Sequence, residues 1–217
     1  MLEYNAVNIH WTGHAGFRID YDTMIIYIDP YKLGSQYNRK NDADLIFITH
    51  NHFDHLSVDD LKNISTKNTT IIAAQECVSK LKSLELKEII GVEPNKKYSL
   101  HNVQIETTPA YNTNKDFHPM KDNKVGFILT IKNNRIYHTG DSDIIPEMKN
   151  VDVDVVLVPV SGTYVMTADE AAIAVNDSIR PKFAIPMHYG AIVGTKDDAV
   201  RFSKLVTVCE VKILEEE

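Results

Sequence analysis

Three times this chain runs through a short apolar stretch, reaches a histidine or an aspartate, and turns. The stretches are "LIFITHNHFDH" (Leu45 to His55), "RIYHTGDSD" (Arg135 to Asp143) and "FAIPMHYG" (Phe183 to Gly190). Each apolar run has the length of a strand buried within a sheet. Loops at one edge of a rigid sheet are where functional side chains tend to sit. The pattern therefore asks for a fold that gathers several strand ends, and the remaining elements suit it. "VNIHW", "AGFRID" and "MIIYID" open the chain as β-like runs, and "TTIIAA", "DVVLVPV" and "CEVKIL" follow as further strands.

Helices are expected over "SVDDLKNIS", with Ser57 as cap, and over "QECVSKLKSL". Another is expected over "TADEAAIAVNDSI", where Thr167 and Glu170 have the spacing of a capping box, and a last one over Asp197 to Leu205. The middle, from about Lys87 to Ile136, reads as a β-meander with a turn at Asn133-Asn134. Strands and helices alternate at both ends around a β-rich centre, which suggests two packed sheets with helices outside. At 217 residues, with no linker or low-complexity segment, the expectation is one domain over residues 1–217.

The densest feature is "HNHFDH", where His50, His52, Asp54 and His55 offer three nitrogen donors and one oxygen donor within six residues. His50 and His52 are two apart, so an extended backbone turns both rings to one side. Such a set holds Zn²⁺, and also Fe²⁺ or Mn²⁺. A lone histidine would be read as part of a solvated turn; this grouping is read as a metal site. Asp141 and His188 extend the set from distant strand ends, each beside a glycine that permits a sharp turn.

Composition narrows the function classes. Lys+Arg 23 against Asp+Glu 30 gives a net charge of −7, which offers no basic excess for gripping nucleic acid. The opening residues lack a signal-like apolar core, and the apolar runs are too short to span a bilayer. Two distant cysteines, Cys77 and Cys209, exclude a cysteine-rich scaffold and suit a cytoplasmic protein.

"HNHFDH" matches the H-x-H-x-D-H signature of the metallo-β-lactamase superfamily, and "YHTGDSD" and "IPMHYG" resemble its bridging aspartate and last histidine. "HWTGHAGFRI" followed by "MIIYIDP" resembles the opening hairpins of its small stand-alone branch of metal-dependent hydrolases. Ascorbate-6-phosphate lactonase and N-acylphosphatidylethanolamine phospholipase D are more distant members. The resemblance implies an α/β fold, an αββα four-layer sandwich. It also implies two divalent ions, Zn with Mn or Fe as alternatives, and hydrolysis by a metal-bound hydroxide. The implied substrate is a small-molecule ester, lactone or phosphodiester. A nucleic-acid phosphodiesterase and a non-catalytic metal-binding protein are the rival expectations.

By the same resemblance His50, His52 and His118 hold one ion, Asp54, His55 and His188 hold the other, and Asp141 bridges them. Asp54 also orients the attacking water. One position departs from the family pattern. A histidine is expected three residues after a strand-end proline, but "TPAYN" places Asn112 there. Either His118, six residues on, supplies the nitrogen, or Asn112 leaves that ion weakly held; His118 is preferred. His14 is expected near the cleft, against a ligand or in the core, and His138 in packing or behind a ligand. His10 and His101 are expected to be structural or exposed. Asp29 is expected to hold a ligand histidine, and Tyr111, Lys115 and Tyr164 to face the substrate.

Overall fold

A computed structural model describes residues 1–149 and 151–217. The chain divides into two compact units, Met1–Glu93 with Leu214–Glu217, and Pro94–Ile213. The first unit is a seven-stranded sheet in chain order: β1 (Leu2–Tyr4), β2 (Val7–Gly13), β3 (Gly16–Tyr21), β4 (Met24–Ile28), β5 (Leu45–Ile48), β6 (Thr70–Ala74) and β7 (Glu88–Val92). Strands β1 to β4 pair antiparallel, and β4 to β7 pair parallel. Its helices are α1 (Val58–Ile64) and the single turn α2 (Val78–Leu81).

The second unit repeats the plan. Strands β8 (Lys97–Leu100), β9 (Val103–Pro109), β10 (Val125–Ile131) and β11 (Asn134–His138) pair antiparallel. From β11 the sheet continues parallel through β12 (Val155–Pro159), β13 (Phe183–Met187) and β14 (Glu210–Val211). Helices α3 (Ala168–Ile173) and α4 (Lys196–Leu205) belong to this unit. Every residue of β5, β6 and β12 is buried, as strands in the middle of a parallel stretch should be.

Local chemistry explains most boundaries. Ser57 accepts a hydrogen bond from the Asp60 N–H and caps α1. Thr167 and Glu170 form the expected capping box, with Glu170 Oε2 accepting from Thr167 N–H at 2.8 Å. Ala171, Ala172, Val175 and Ile179 are all buried on the inner face, although the helix relaxes to a wider turn over Ala174–Ile179.

Several boundaries differ from the sequence expectation. The hairpin turn after β10 is Lys132-Asn133, both at positive φ, and Asn134 already begins the next strand. A two-residue turn needs positive φ at both central positions, and the register set by β10 and β11 places it one residue earlier. "QECVSKLKSL" gives only a tight turn and α2, and "CEVKIL" only the two residues of β14. Strand β7, expected in the central meander, pairs with β6 in the first sheet instead.

Candidate metal centre

In the first unit the candidate ligands gather behind β5. The parallel pairing of Ile28 with Phe47 sets the ends of β4 and β5 side by side. Asp29, the residue after β4, is fully buried and takes a left-handed φ of 44°. A non-glycine residue held there is strained, and such strain tends to collect at functional positions. The Asp29 carboxylate accepts from Thr49 N–H at 2.8 Å and from Thr49 Oγ1 at 2.6 Å. It also lies 2.7 Å from His55 Nδ1.

These bonds assign ring protons. A carboxylate only accepts, so His55 Nδ1 carries hydrogen and its Nε2 keeps the lone pair. Thr49 spends its hydroxyl hydrogen on Asp29 and accepts from His50 Nδ1 at 3.0 Å, which leaves His50 Nε2 as that ring's lone pair as well. A single buried aspartate therefore sets two rings of "HNHFDH" for coordination, as partners behind metal-binding histidines do. The His50 ring lies 4.0 Å from that of His55 and 4.5 Å from that of His52. Candidate ligand atoms of His14, Asp54 and His55 fall within 4.8 Å of one another, as do those of His50 and His52.

His14 joins this group through Asp54. Its Nε2 lies 2.9 Å from Asp54 Oδ2, while Trp11 Nε1 donates to its carbonyl at 2.9 Å. His14 is buried at φ 49°, so it is a held residue beside a ligand candidate. His10 pairs with Glu217 and Asp20, and His101 is exposed in the hairpin between β8 and β9.

In the second unit the ligands come from three places. Gly140, at φ 62°, turns the chain after β11, and its N–H donates to His138 Nδ1 at 3.1 Å, so His138 shapes the turn that presents Asp141. His188 follows β13 at φ 59°, with its Nδ1 3.1 Å from Ser161 Oγ at the end of β12. His118 lies in the loop between β9 and β10. Its Nε2 is 3.4 Å from Asp141 Oδ2, and His188 Nε2 is 3.1 Å from the same oxygen.

Asn112 has a clear part in this arrangement. Its Oδ1 accepts from His118 N–H at 2.9 Å and lies 3.1 Å from His118 Nδ1, and its Nδ2 donates to the Tyr164 carbonyl. That carbonyl is 3.2 Å from His118 Nδ1. Both partners of Nδ1 are oxygen acceptors, so Nδ1 carries the hydrogen and Nε2 the lone pair. A lone pair aimed at a carboxylate oxygen repels it unless a cation lies between them or the ring gains a second proton. The donor set and its orientation fit a divalent ion held by nitrogen and oxygen.

Sequence reasoning passed over the residues that brace this loop. Ser142 Oγ contacts the Tyr111 carbonyl at 3.2 Å, and Asp143 accepts from Thr113 N–H at 2.9 Å and Lys115 Nζ at 2.7 Å. Lys115 is thus committed to Asp143, and the Tyr111 hydroxyl donates to Glu147 at 3.1 Å. The Tyr164 ring packs edge-on against that of Phe117, with centroids 4.6 Å apart. The second carboxylate in "GDSD" was the available signal for Asp143.

Comparisons with known proteins place the chain in context. Residues 8–188 match the family model described as "Beta-lactamase superfamily domain". A UPF0173 metal-dependent hydrolase of Methanosphaera stadtmanae is 32% identical over 216 residues, covering 92% of this chain and 91% of that protein. A protein of Parabacteroides distasonis, provisionally named a metal-dependent hydrolase, has a solved structure 30% identical in sequence. It superposes with a TM-score of 0.82 over 97% of this chain and 94% of that one. Igni18, a metallo hydrolase of Ignicoccus hospitalis, shares the fold at 24% identity, with a TM-score of 0.80 over 96% of this chain and 95% of that one.

Proposed function

The chain belongs to the metallo-β-lactamase superfamily, and on that premise we propose that it carries a binuclear metal centre. Its fold is the metallo-β-lactamase fold expected from the sequence, and it is a metal-dependent hydrolase of that superfamily. In the proposed centre His50, His52 and His118 would hold one divalent ion, Asp54, His55 and His188 the other, and Asp141 would serve both. The observation that carries this is the orientation of the rings: hydrogen bonds at Nδ1 leave Nε2 as the coordinating atom of His50, His55 and His118.

Zinc is the proposed metal, with manganese or iron as substitutes, since such N/O sets accept several divalent ions. When bound, two such ions would lower the pKa of water to about 7 and supply charge that stabilises a developing negative oxygen. The chain's own groups do the positioning. Asp54 orients the attacking water by accepting its hydrogen bond, and His14, 2.9 Å from Asp54 Oδ2, holds that carboxylate in place. Asp29 and Asn112 keep the histidine rings from turning away.

The proposed substrate is a small-molecule ester, lactone or phosphodiester. A nucleic-acid phosphodiesterase is the second reading, and a net charge of −7 gives it no help. The proposal takes residues 1–217 as a single domain, a reading supported by the first unit, which takes residues from both ends of the sequence. Among the described residues no helix is long and apolar enough to cross a membrane. A cytoplasmic location is part of the proposal, because a buried Cys77 and a half-buried Cys209 suit a reducing compartment.

The test is to strip metal with a chelator, restore zinc, manganese or iron separately, and assay a lactone, a p-nitrophenyl ester, a phosphodiester and an RNA. Metal-dependent turnover of one of the first three supports the proposal. Turnover of RNA alone favours the nuclease. Tight metal binding with no turnover on any of the four defeats the hydrolase reading in favour of a metal-binding protein.

A further inference from the structure

We propose that the second unit seats an apolar acyl or aryl group beside His118, which makes the substrate an ester or lactone with a hydrophobic tail. The proposal rests on the hydrolase reading above and narrows it. His118 is buried, yet the residues around it in the same loop turn large apolar side chains outward: Phe117 is 51% exposed and Met120 60%. Single exposed apolar residues are ordinary on a protein surface, but here two fall within four residues of chain that is otherwise polar, "NTNKDFHPM".

Phe117 is also held in place. Its ring meets that of Tyr164 edge-on, with centroids 4.6 Å apart and planes at 87°. The Tyr164 carbonyl, in turn, accepts from Asn112 Nδ2 and lies 3.2 Å from His118 Nδ1. The aromatic pair and the proposed ligand therefore share one hydrogen-bonded frame. Rigid aromatic side chains supply contact area at little entropic cost, and this pair adjoins His118 in the chain and through the Tyr164 carbonyl.

Lys115, three residues before His118, is 2.7 Å from Asp143 and 3.9 Å from Glu170, so two carboxylates balance its charge, whereas Lys121, three residues after His118, is exposed. The first unit shows a parallel feature: Phe53, between His52 and Asp54, is 66% exposed and meets the Tyr31 ring at 5.8 Å. In the reaction proposed, the oxygen of water bonds to the acyl carbon and the ester C–O bond breaks. The alcohol departs with one proton of the water, and the carboxylic acid keeps the other.

The test uses the whole chain with ¹³C-labelled methionine methyls, metal-loaded and metal-stripped, titrated with acetate, butyrate, octanoate and inorganic phosphate. Met120→Leu identifies the Met120 resonance. Octanoate should bind about tenfold more tightly than acetate and shift the Met120 methyl, as apolar burial requires. In Phe117→Ala the octanoate-to-acetate ratio should fall to about one, and Met120→Ala should lower it independently. Equal affinity for acetate and octanoate, or phosphate binding more tightly than octanoate, overturns the proposal. Kinetics on p-nitrophenyl acetate and octanoate separate the two readings. Chain-length-dependent binding without any turnover removes the hydrolase reading and leaves the apolar seat. Turnover with the same KM for both esters, in parent and Phe117→Ala alike, removes the seat and leaves the hydrolase.

Discussion

In both units four antiparallel strands pass into a parallel extension of three, yet the first unit gathers its candidate ligands behind one strand while the second collects them from three places. Behind β5 four candidates follow within six residues, and one neighbour, Asp29 from the adjacent strand end, orients two of them. In the second unit Asp141 follows β11, His188 follows β13, and His118 comes from the loop between β9 and β10. The shared plan explains why the candidates after β5, β11 and β13 sit at the carboxyl ends of parallel-paired strands, where open α/β sheets place their ligands, while His118 comes from the antiparallel part. The difference is in bracing. One buried carboxylate organises the first set, and a chain of loop contacts through Asn112, Ser142 and Asp143 organises the second.

That contrast can be broken at its strongest point first. Asp29→Ala removes the acceptor of three buried donors, so it should destabilise the protein by roughly 3 kcal/mol or more. It should also weaken metal binding by more than about 10–100-fold, because two rings lose their orientation together. Urea unfolding and metal titration would measure both. A variant that unfolds like the parent and binds metal as tightly would show that Asp29 does not organise this unit.

The matching change in the second unit should be milder. Asn112→Ala frees one ring, His118, and leaves Asp143 holding the loop, so metal affinity should fall about 10–100-fold with little loss of stability. Competition against a chromogenic chelator reads it. Equal damage from Asn112→Ala and Asp29→Ala would erase the proposed difference in bracing.

The helix caps give a smaller contrast in the other direction. Thr167 takes part in a reciprocal box, whereas Ser57 makes a single long bond of 3.4 Å. Thr167→Ala should cost about 1 kcal/mol and Ser57→Ala about half that, by denaturant midpoints. The reverse order would mean that the caps do not follow their geometry.

The smallest effect concerns acid. Burial raises the Glu217 pKa in the first unit, but hydrogen bonds from His10 and Tyr37 outweigh it and hold the carboxyl below its ordinary value. Glu106 in the second unit is lowered against burial in the same way, by Lys97 and Arg135. A carboxylate whose folded pKa is depressed contributes stability above its unfolded pKa of about 4.3 and loses it as pH falls through the folded value. Glu217→Gln and Glu106→Gln should each flatten the fall in stability below about pH 4.3. Urea midpoints from pH 3 to 6 check this, and variants that track the parent throughout would contradict it.

The same asymmetry decided what could be read in the sequence. "HNHFDH" announces itself because its candidate ligands are neighbours in the chain, and Asp29 in "YIDP" was expected to hydrogen-bond one of its histidines. Asp141 and His188 were read as candidates from their strand-then-turn setting. Asn112 looked like a missing ligand, and only the loop's closure, with Asn112 N–H donating to the His118 carbonyl at 2.8 Å, reveals it as the group that holds His118. Strand β1 escaped notice, and β7 and β8 were read only as part of a meander, because they are short and partly exposed, so partner strands rather than their own pattern define them. The repeated topology is invisible in the sequence, since strand pairing can recur where no residue pattern does.

The central claim is that the seven proposed ligands hold two ions, and metal content measured alongside affinity tests it most directly. Elemental analysis of the purified chain should find two divalent ions per molecule. Asp141→Asn should weaken both, while His118→Ala and His55→Ala should each cost mainly one. A single ion, or two that remain as tightly bound in Asp141→Asn and His118→Ala as in the parent, would contradict the account.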